Sequence, residues 1–340
     1  MEIAHVHFYV ENAKAWRNWF VDYLGFTAVA SEISSSHTHT ETVQSGAICF
    51  LLSSPLLPTS PVAQFLHQHP PGVADIAFTV PNLETAIAQA VAHGATILEP
   101  IQQYPGYKCS KIAAWGSMTH TLIEKDQTRP LQQETRPIFT AIDHIVLNVA
   151  IGDLERAVVW YSNILDMQPQ QVFKIKTERS ALYSQVMVSP NGSVQLPINE
   201  PASSNSQIQE FLDVNRGPGI QHIALRTSNL VSAIAKLRSR GLSLLSVPQT
   251  YYTQLKKRPE FPLSSLELEA IAQQEILVDW QANTHNALLL QIFTQPIFEQ
   301  PTFFFEFIER RFQAQGFGEG NFRALFEAIE SEQIKRGTLS

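Results

Sequence analysis

Apolar and other positions alternate over Ile142–Val149, the period of a half-buried strand. From Asp153 the spacing changes. Leu154, Ala157, Val158 and Tyr161 share one helical face, which predicts a helix over Leu154–Leu165 with Asp153 as its N-cap. Asn229 predicts the start of a second helix, Leu230–Arg240, and Gly241 its stop; Gly94 is the matching stop earlier in the chain. Near the C-terminus Phe322, Leu325, Phe326 and Ile329 form one stripe, predicting an amphipathic helix over 321–335. Gly316, Gly318 and Gly320 precede it, so it is expected to act as a hinged lid.

These patterns recur. Gly72-Val73-Ala74-Asp75-Ile76-Ala77-Phe78 reads like Gly219-Ile220-Gln221-His222-Ile223-Ala224-Leu225. Asn82-Leu83 and Gly94 meet Asn229-Leu230 and Gly241 at the same offset of 147 residues. His5-Val6-His7-Phe8-Tyr9-Val10 resembles His144-Ile145-Val146-Leu147-Asn148-Val149, and each is followed by a helix bearing Trp19-Phe20 or Trp160-Tyr161. A period near 145 residues is too long for a solenoid and indicates a duplicated domain. Within each copy, a strand, a helix and further strands occur twice. The Thr-, Gln- and Pro-containing stretch Asp126–Pro137 reads as the linker between copies.

Composition narrows the function classes. With 340 residues, 44% hydrophobic and 16% charged, the chain can bury two ordinary cores. A net charge of −7, with Lys256-Lys257-Arg258 as its short basic cluster, argues against a nucleic-acid partner. No apolar run is long enough for a membrane span, and the N-terminus lacks the basic-then-apolar pattern of a secretory signal; a soluble cytoplasmic protein is expected. Cys49 and Cys109 are too few for a disulfide framework and read as idle thiols. Eleven histidines against two cysteines mean that any bound metal takes nitrogen and oxygen ligands.

Three strand-like segments of the second half each carry one such ligand among apolar neighbours: His144, His222 and Glu306. Singly, a histidine on an apolar strand is usually a satisfied core residue, and Glu306 could pair with Arg310. Together the weight shifts, because His144 and His222 open equivalent modules and Glu306 follows three phenylalanines. A buried carboxylate there needs a cation. Two imidazoles and one carboxylate suit non-haem Fe(II) with open positions, and also zinc. In the first half His5, Asp75 and Glu124 are expected to stand in the corresponding places, as a degenerate site.

The residues then carry a resemblance. Asp143-His144-Ile145-Val146-Leu147-Asn148, Leu196-Pro197-Ile198-Asn199-Glu200-Pro201 and Gly217-Pro218-Gly219-Ile220-Gln221-His222-Ile223-Ala224 resemble the 4-hydroxyphenylpyruvate dioxygenase family of the vicinal-oxygen-chelate (glyoxalase-like) superfamily. So do Leu288-Leu289-Leu290-Gln291-Ile292-Phe293-Thr294, Pro301-Thr302-Phe303-Phe304-Phe305-Glu306 and Gly316-Phe317-Gly318-Glu319-Gly320-Asn321-Phe322. The resemblance implies an α+β fold of two tandem glyoxalase-like domains, 1–130 and 138–340, each of paired βαβββ modules curving around a cleft. It implies one Fe(II) on His144, His222 and Glu306. The substrates would be 4-hydroxyphenylpyruvate and O2, and the products homogentisate and CO2, formed by oxidative decarboxylation, ring hydroxylation and side-chain migration.

By position, the resemblance places Gln221, Gln291 and Phe322 at the reaction. It places Ser184, Asn199, Gln207, Phe293, Phe304, Phe317, Asn321 and Leu325 around the substrate, and a dimer or tetramer is expected. Trp280 and Gln281–Asn286 depart from the usual tight turn. The rivals are 4-hydroxymandelate synthase, which shares the iron site and substrate and which Phe322 disfavours, and a non-catalytic binding protein of the same fold. Glyoxalase-type isomerases draw ligands from both repeat pairs, which Asp75 disfavours.

Overall fold

The computed structural model describes residues 1–30, 35–126, 137–176, 181–203, 206–280, 287–318 and 320–321. Most of the Asp126–Pro137 linker, the segment 281–286 and the lid helix beyond Asn321, with Phe322, Leu325, Phe326 and Ile329, lie outside the described residues.

The first half runs β1 (Glu2–Tyr9), α1 (Ala13–Trp19), β2 (Thr27–Val29), β3 (Thr38–Ser45), β4 (Ile48–Pro55), α2 (Pro61–Gln68), β5 (Gly72–Thr79), α3 (Leu83–Ala92), β6 (Ile97–Tyr104), β7 (Tyr107–Ala113) and β8 (Thr119–Lys125). The second runs β9 (Ala141–Asn148), α4 (Leu154–Leu165), β10 (Gln168–Lys176), β11 (Ala181–Val188), β12 (Gln195–Pro201), α5 (Gln207–Asn215), β13 (Gly219–Arg226), α6 (Leu230–Ser239), α7 (Gln249–Leu255), α8 (Ser265–Gln273), β14 (Leu277–Asp279), β15 (Leu288–Phe293) and β16 (Phe304–Arg311). Each half forms one eight-stranded sheet, ordered β2-β3-β4-β1-β5-β8-β7-β6 and β10-β11-β12-β9-β13-β16-β15-β14. The second order is the first displaced by eight strands, so the duplication is complete at the level of topology. The fold is α+β, two tandem βαβββ pairs.

In each sheet the two modules meet at an antiparallel central pair, β1 with β5 and β9 with β13, flanked by parallel pairs. Of the central strands, β5, β9 and β13 are buried almost throughout, which accounts for their apolar runs, while β1 buries only Val6 and Phe8. Both central pairs carry two β-bulges at equivalent places. Asp143 and Gln221 are the unpaired residues in the second half, Ala4 and Ala74 in the first. A bulge adds one residue to one strand and re-aims the side chains beside it.

β16 explains the phenylalanine-rich run around Glu306. Side chains alternate across a strand. Phe303, Phe305 and Phe307 turn toward the first half: Phe303 meets Phe8 at 5.2 Å, Phe305 meets Phe20 at 5.9 Å, and Phe307 stacks at 4.9 Å on Phe139, just before β9, which itself meets Phe26 of the first half at 6.3 Å. Phe304 and Glu306 face the other way. Each aromatic pair adds about 0.5–1.5 kcal/mol beyond burial, and one continuous core joins the two halves.

The helix Leu154–Leu165 has the expected bounds, but Asp153 makes no side-chain cap. Glu200 takes that role from β12, accepting the Leu154 N–H at 2.8 Å, while Asp153 pairs with Arg156. Glu124 and Glu309 do the same for Leu83 and Leu230, each at 2.6 Å. Glu124 is therefore equivalent to Glu309. The strand register pairs Ala77 with Thr121 and Ala224 with Glu306, so Thr121 stands where the second half has Glu306. Helices α7 and α8 have no counterpart in the first half; they fill the connection between α6 and β14.

Candidate metal centre

The central strands of the second sheet bring His144, His222 and Glu306 together, with one donor atom from each within 4.8 Å of the others. The register sets this up: Ala224 pairs with His144 across β9–β13 and with Glu306 across β13–β16. His144 Nε2 lies 3.1 Å and His222 Nε2 3.6 Å from Glu306 Oε2. All three side chains are buried. Among the described residues no other group of His, Cys, Asp and Glu is gathered this way. His5, Asp75 and Glu124 are not.

The orientation of each donor is set by its neighbours. Asp143, the bulge residue beside His144, accepts from His144 Nδ1 at 3.0 Å. That contact fixes the orientation of the ring and turns Nε2 toward Glu306. Asp143 is itself held by Arg310, which donates to both carboxylate oxygens at 2.8 and 2.7 Å, and by Arg226 at 3.0 and 2.5 Å. Arg310 thus serves Asp143 rather than Glu306. Its other terminal nitrogen donates to the carbonyls of Ala314 and Gly316, at the base of the C-terminal segment.

Burial disfavours charge on Asp143, but Arg310 and His144 overcome it and hold the carboxyl well below its ordinary range. Glu306 is pulled down to about 2 against its own desolvation, chiefly by His144. His144 is likewise raised to about 9 against desolvation by Glu306 and Asp143. Burial lowers His222. Its Nδ1 has no hydrogen-bond partner among the described residues, and its ring stacks on Phe304 at 4.7 Å. Two imidazoles and a buried carboxylate converging on one point are a donor set that fits a divalent metal, whose charge would take the place of the proton that Glu306 otherwise draws onto His144.

These donors sit in a cleft open to solvent, lined by apolar side chains and a few polar groups. Ser184, Asn199, Gln207, Gln221, Gln291, Phe293, Phe304, Phe317 and Asn321 all line it. Gln221 reaches the cleft beside His222 because it is the bulged residue of β13. Gln207 is the first residue of α5, behind the Ser206 cap. Phe317 meets the His144 ring edge-on at 5.1 Å. Gln291 Nε2 donates to Glu306 Oε1 at 2.8 Å and to the Phe317 carbonyl at 3.0 Å. This leaves Oε2 as the Glu306 oxygen that faces the histidines.

Val146, Phe173, Leu182, Pro197 and Ile208 complete the walls. They carried no sequence signal beyond their apolar character; register alone assigns them to the cleft face. Phe322 and Leu325 lie outside the described residues. Gly318 and Gly320 do more than allow a hinge. A Cβ on Gly318, whose φ is +80°, would stand 1.9 Å from Gln291 Oε1, and one on Gly320 would stand 2.1 Å from Asp279 Oδ1.

Residues 2–109 and 141–258 match the family model "Glyoxalase/Bleomycin resistance protein/Dioxygenase superfamily". The chain is 38% identical to the 4-hydroxyphenylpyruvate dioxygenase of Coccidioides posadasii, covering 98% of this chain and 94% of that one. It is 37% identical to the enzyme of that name from Dictyostelium discoideum, over 98% and 99%. An engineered variant of 4-hydroxymandelate synthase from Streptomyces coelicolor superposes with a TM-score of 0.86 at 25% identity, over 98% of both chains. No helix among the described residues is long and apolar enough to cross a membrane. Tandem repeat, buried triad and end-to-end similarity agree: the chain belongs to the 4-hydroxyphenylpyruvate dioxygenase family of the glyoxalase superfamily.

Proposed function

We propose that this chain is an Fe(II)-dependent dioxygenase that converts 4-hydroxyphenylpyruvate and O2 to homogentisate and CO2. The observation that carries the reading is the buried His144–His222–Glu306 cluster at the floor of an aromatic-walled cleft, in a chain similar end to end to proteins of that name. The cleft matches the substrate's chemistry. The 2-oxo acid end is anionic and suits the metal position, and the ring suits the space walled by Phe293, Phe304 and Phe317.

His144 and His222 through Nε2, with Glu306 through Oε2, would hold the iron. When bound, iron supplies the Lewis acid that binds the oxo acid and the centre at which O2 is reduced, the substrate's own decarboxylation furnishing electrons. The remaining work belongs to the chain. Asp143 keeps the proton of His144 on Nδ1. Gln291 occupies the second oxygen of Glu306, so the carboxylate presents one oxygen and leaves room for substrate. Ser184, Asn199, Gln207 and Gln221 offer hydroxyl and amide groups that orient the oxo acid and the ring hydroxyl. The phenylalanine walls, with Phe317, Gly318 and Asn321 beside them, keep bulk water away from the reacting atoms.

The structural match to 4-hydroxymandelate synthase favours one second reading, the same metal site hydroxylating the benzylic carbon. The deciding experiment incubates Fe(II)-loaded protein with 4-hydroxyphenylpyruvate and O2 and separates the products by chromatography. Homogentisate is expected. 4-Hydroxymandelate would move the assignment to the second reading, and no turnover with metal fully bound would leave a binding protein.

A further inference from the structure

Helix α7 lies in the part of the second half that the repeat does not explain, yet it reaches the metal centre. The Tyr251 hydroxyl is 2.9 Å from Asn321 Oδ1, 2.8 Å from the Val278 N–H and 3.0 Å from the Val278 carbonyl. Asn321 Nδ2 in turn donates to Gln291 Oε1 at 2.9 Å, and Gln291 Nε2 donates to Glu306 Oε1. All of these groups are buried or half-buried.

The chain of bonds has one consistent direction. Glu306 accepts, so Gln291 must turn its NH2 toward it and its carbonyl oxygen toward Asn321. Asn321 must then turn its NH2 to Gln291 and its own oxygen to Tyr251. That oxygen needs a donor; the single phenol proton faces it at 2.9 Å, with the Val278 carbonyl as a second acceptor at 3.0 Å, while the phenol oxygen accepts from Val278 N–H. A second grip lies alongside. Asp279 accepts the Gly320 N–H at 2.9 Å and is held by Arg258 at 3.0 Å, whose guanidinium lies over Trp280 at 4.0 Å. The α7 region and β14 thus clamp residues 320 and 321 where the C-terminal segment crosses the cleft.

We propose that Tyr251 is a positioning residue. Its hydroxyl fixes the Asn321 amide and through it the Gln291 amide, so that Glu306 is held to one free oxygen and the substrate side of the metal position stays open. The proposal deepens the dioxygenase reading and rests on it for its kinetic arm only.

Tyr252 provides the control. Its hydroxyl is also buried and donates to the Ile276 carbonyl, just before β14, at 3.1 Å, and no hydrogen bond joins it to Asn321. Tyr251→Phe and Tyr252→Phe should therefore lose similar stability in urea unfolding. Only Tyr251→Phe should weaken Co(II) binding, by about five- to tenfold, the usual scale for losing one ordering hydrogen bond near a ligand. The visible d–d bands of Co(II) should also change in that variant, as Glu306 becomes free to use both oxygens. In turnover, Tyr251→Phe should raise KM and lower the product formed per O2 consumed, with Tyr252→Phe near wild type. In an Asn321→Ala background, Tyr251→Phe should add less than about a twofold effect, because the relay is already cut.

Equal Co(II) affinity and spectra in the two phenylalanine variants would overturn the proposal, as would an undiminished Tyr251→Phe effect in the Asn321→Ala background. A wild-type protein that binds Co(II) but turns over no 4-hydroxyphenylpyruvate would instead sink the dioxygenase reading and leave the metal-binding arm standing.

Discussion

Replacing Asp75 by Asn should stabilise the protein, and by an amount that grows with pH. Asp75 occupies the place of His222 in the first half and is only 2% exposed. It accepts from the hydroxyls of Thr119 and Thr121, at 2.5 and 3.1 Å. Burial raises its pKa from 3.8 to about 6, with Lys111 and the two threonines pulling the other way without prevailing. A carboxyl whose folded value lies above its unfolded one binds its proton more tightly in the folded state. Its contribution to stability is fully present below pH 3.8 and is lost as pH rises through about 6. At about 1.4 kcal/mol per unit, two units of displacement make the ionised group cost about 3 kcal/mol above pH 7. Asparagine is isosteric and neutral at every pH, and its oxygen retains both threonine bonds. Lys111 retains Glu99 at 3.1 Å. Urea unfolding followed by circular dichroism should show little difference between the proteins below about pH 3.5, about 1 kcal/mol near pH 4.5 and about 3 kcal/mol in favour of Asp75→Asn at pH 8. A difference that does not vary with pH, or that favours wild type at pH 8, would refute the reasoning. The variant should also bind metal with wild-type stoichiometry, whereas His222→Ala should bind none; metal loss in Asp75→Asn would show that the first half contributes to the site.

Two further substitutions probe the support of the metal centre. Arg310→Met leaves the buried Asp143 carboxylate with Arg226 and the His144 N–H and frees the Ala314 and Gly316 carbonyls, so urea unfolding should register a loss of about 3–5 kcal/mol; Arg310→Lys should recover little of it, since an ammonium cannot make the two-pronged contact. Gly318→Ala puts a Cβ into Gln291 and strains a left-handed backbone, so kcat/KM should fall by at least about tenfold, with the unfolding midpoint moving far less than in Arg310→Met. Unchanged kcat/KM would mean that the Gln291–Glu306 contact is dispensable.

Much of this site was legible in the sequence because it rests on strand periodicity. His144, His222 and Glu306 each stand among apolar residues, and His144 and His222 open modules of the same pattern. What failed was register. Glu124 follows an apolar run much as Glu306 does, but it lies three residues further along its strand and holds the start of α3. Its true counterpart is Glu309, and a run of letters does not say which of two nearby carboxylates faces the cleft. Asp153 misled for a related reason. A good capping residue was present, yet a glutamate from β12 reached the helix N-terminus first. Tyr251 could not be read at all, since helix α7 is outside the repeat and its contact with Asn321 spans 70 residues.

The bulges explain how one frame gathers a His–His–Glu donor set in one half and, among the described residues, no such set in the other. Each sheet interrupts its central pair at the same two places, so each could present adjacent side chains to its concave face. In the second half those interruptions carry Asp143 and Gln221. One fixes a ligand histidine and the other faces the cleft. In the first half the same two positions are Ala4 and Ala74, which have neither charge nor hydrogen-bonding side chain, and Thr121 replaces the carboxylate ligand. The backbone was kept because the central pair and its bulges are core structure, shared with the phenylalanine layer that joins the halves. The ligands were free to change because nothing in that packing depends on them. What remains in the first half is a buried carboxyl with two threonines for company, and its displaced pKa records the cost of keeping an acid in a ligand's place.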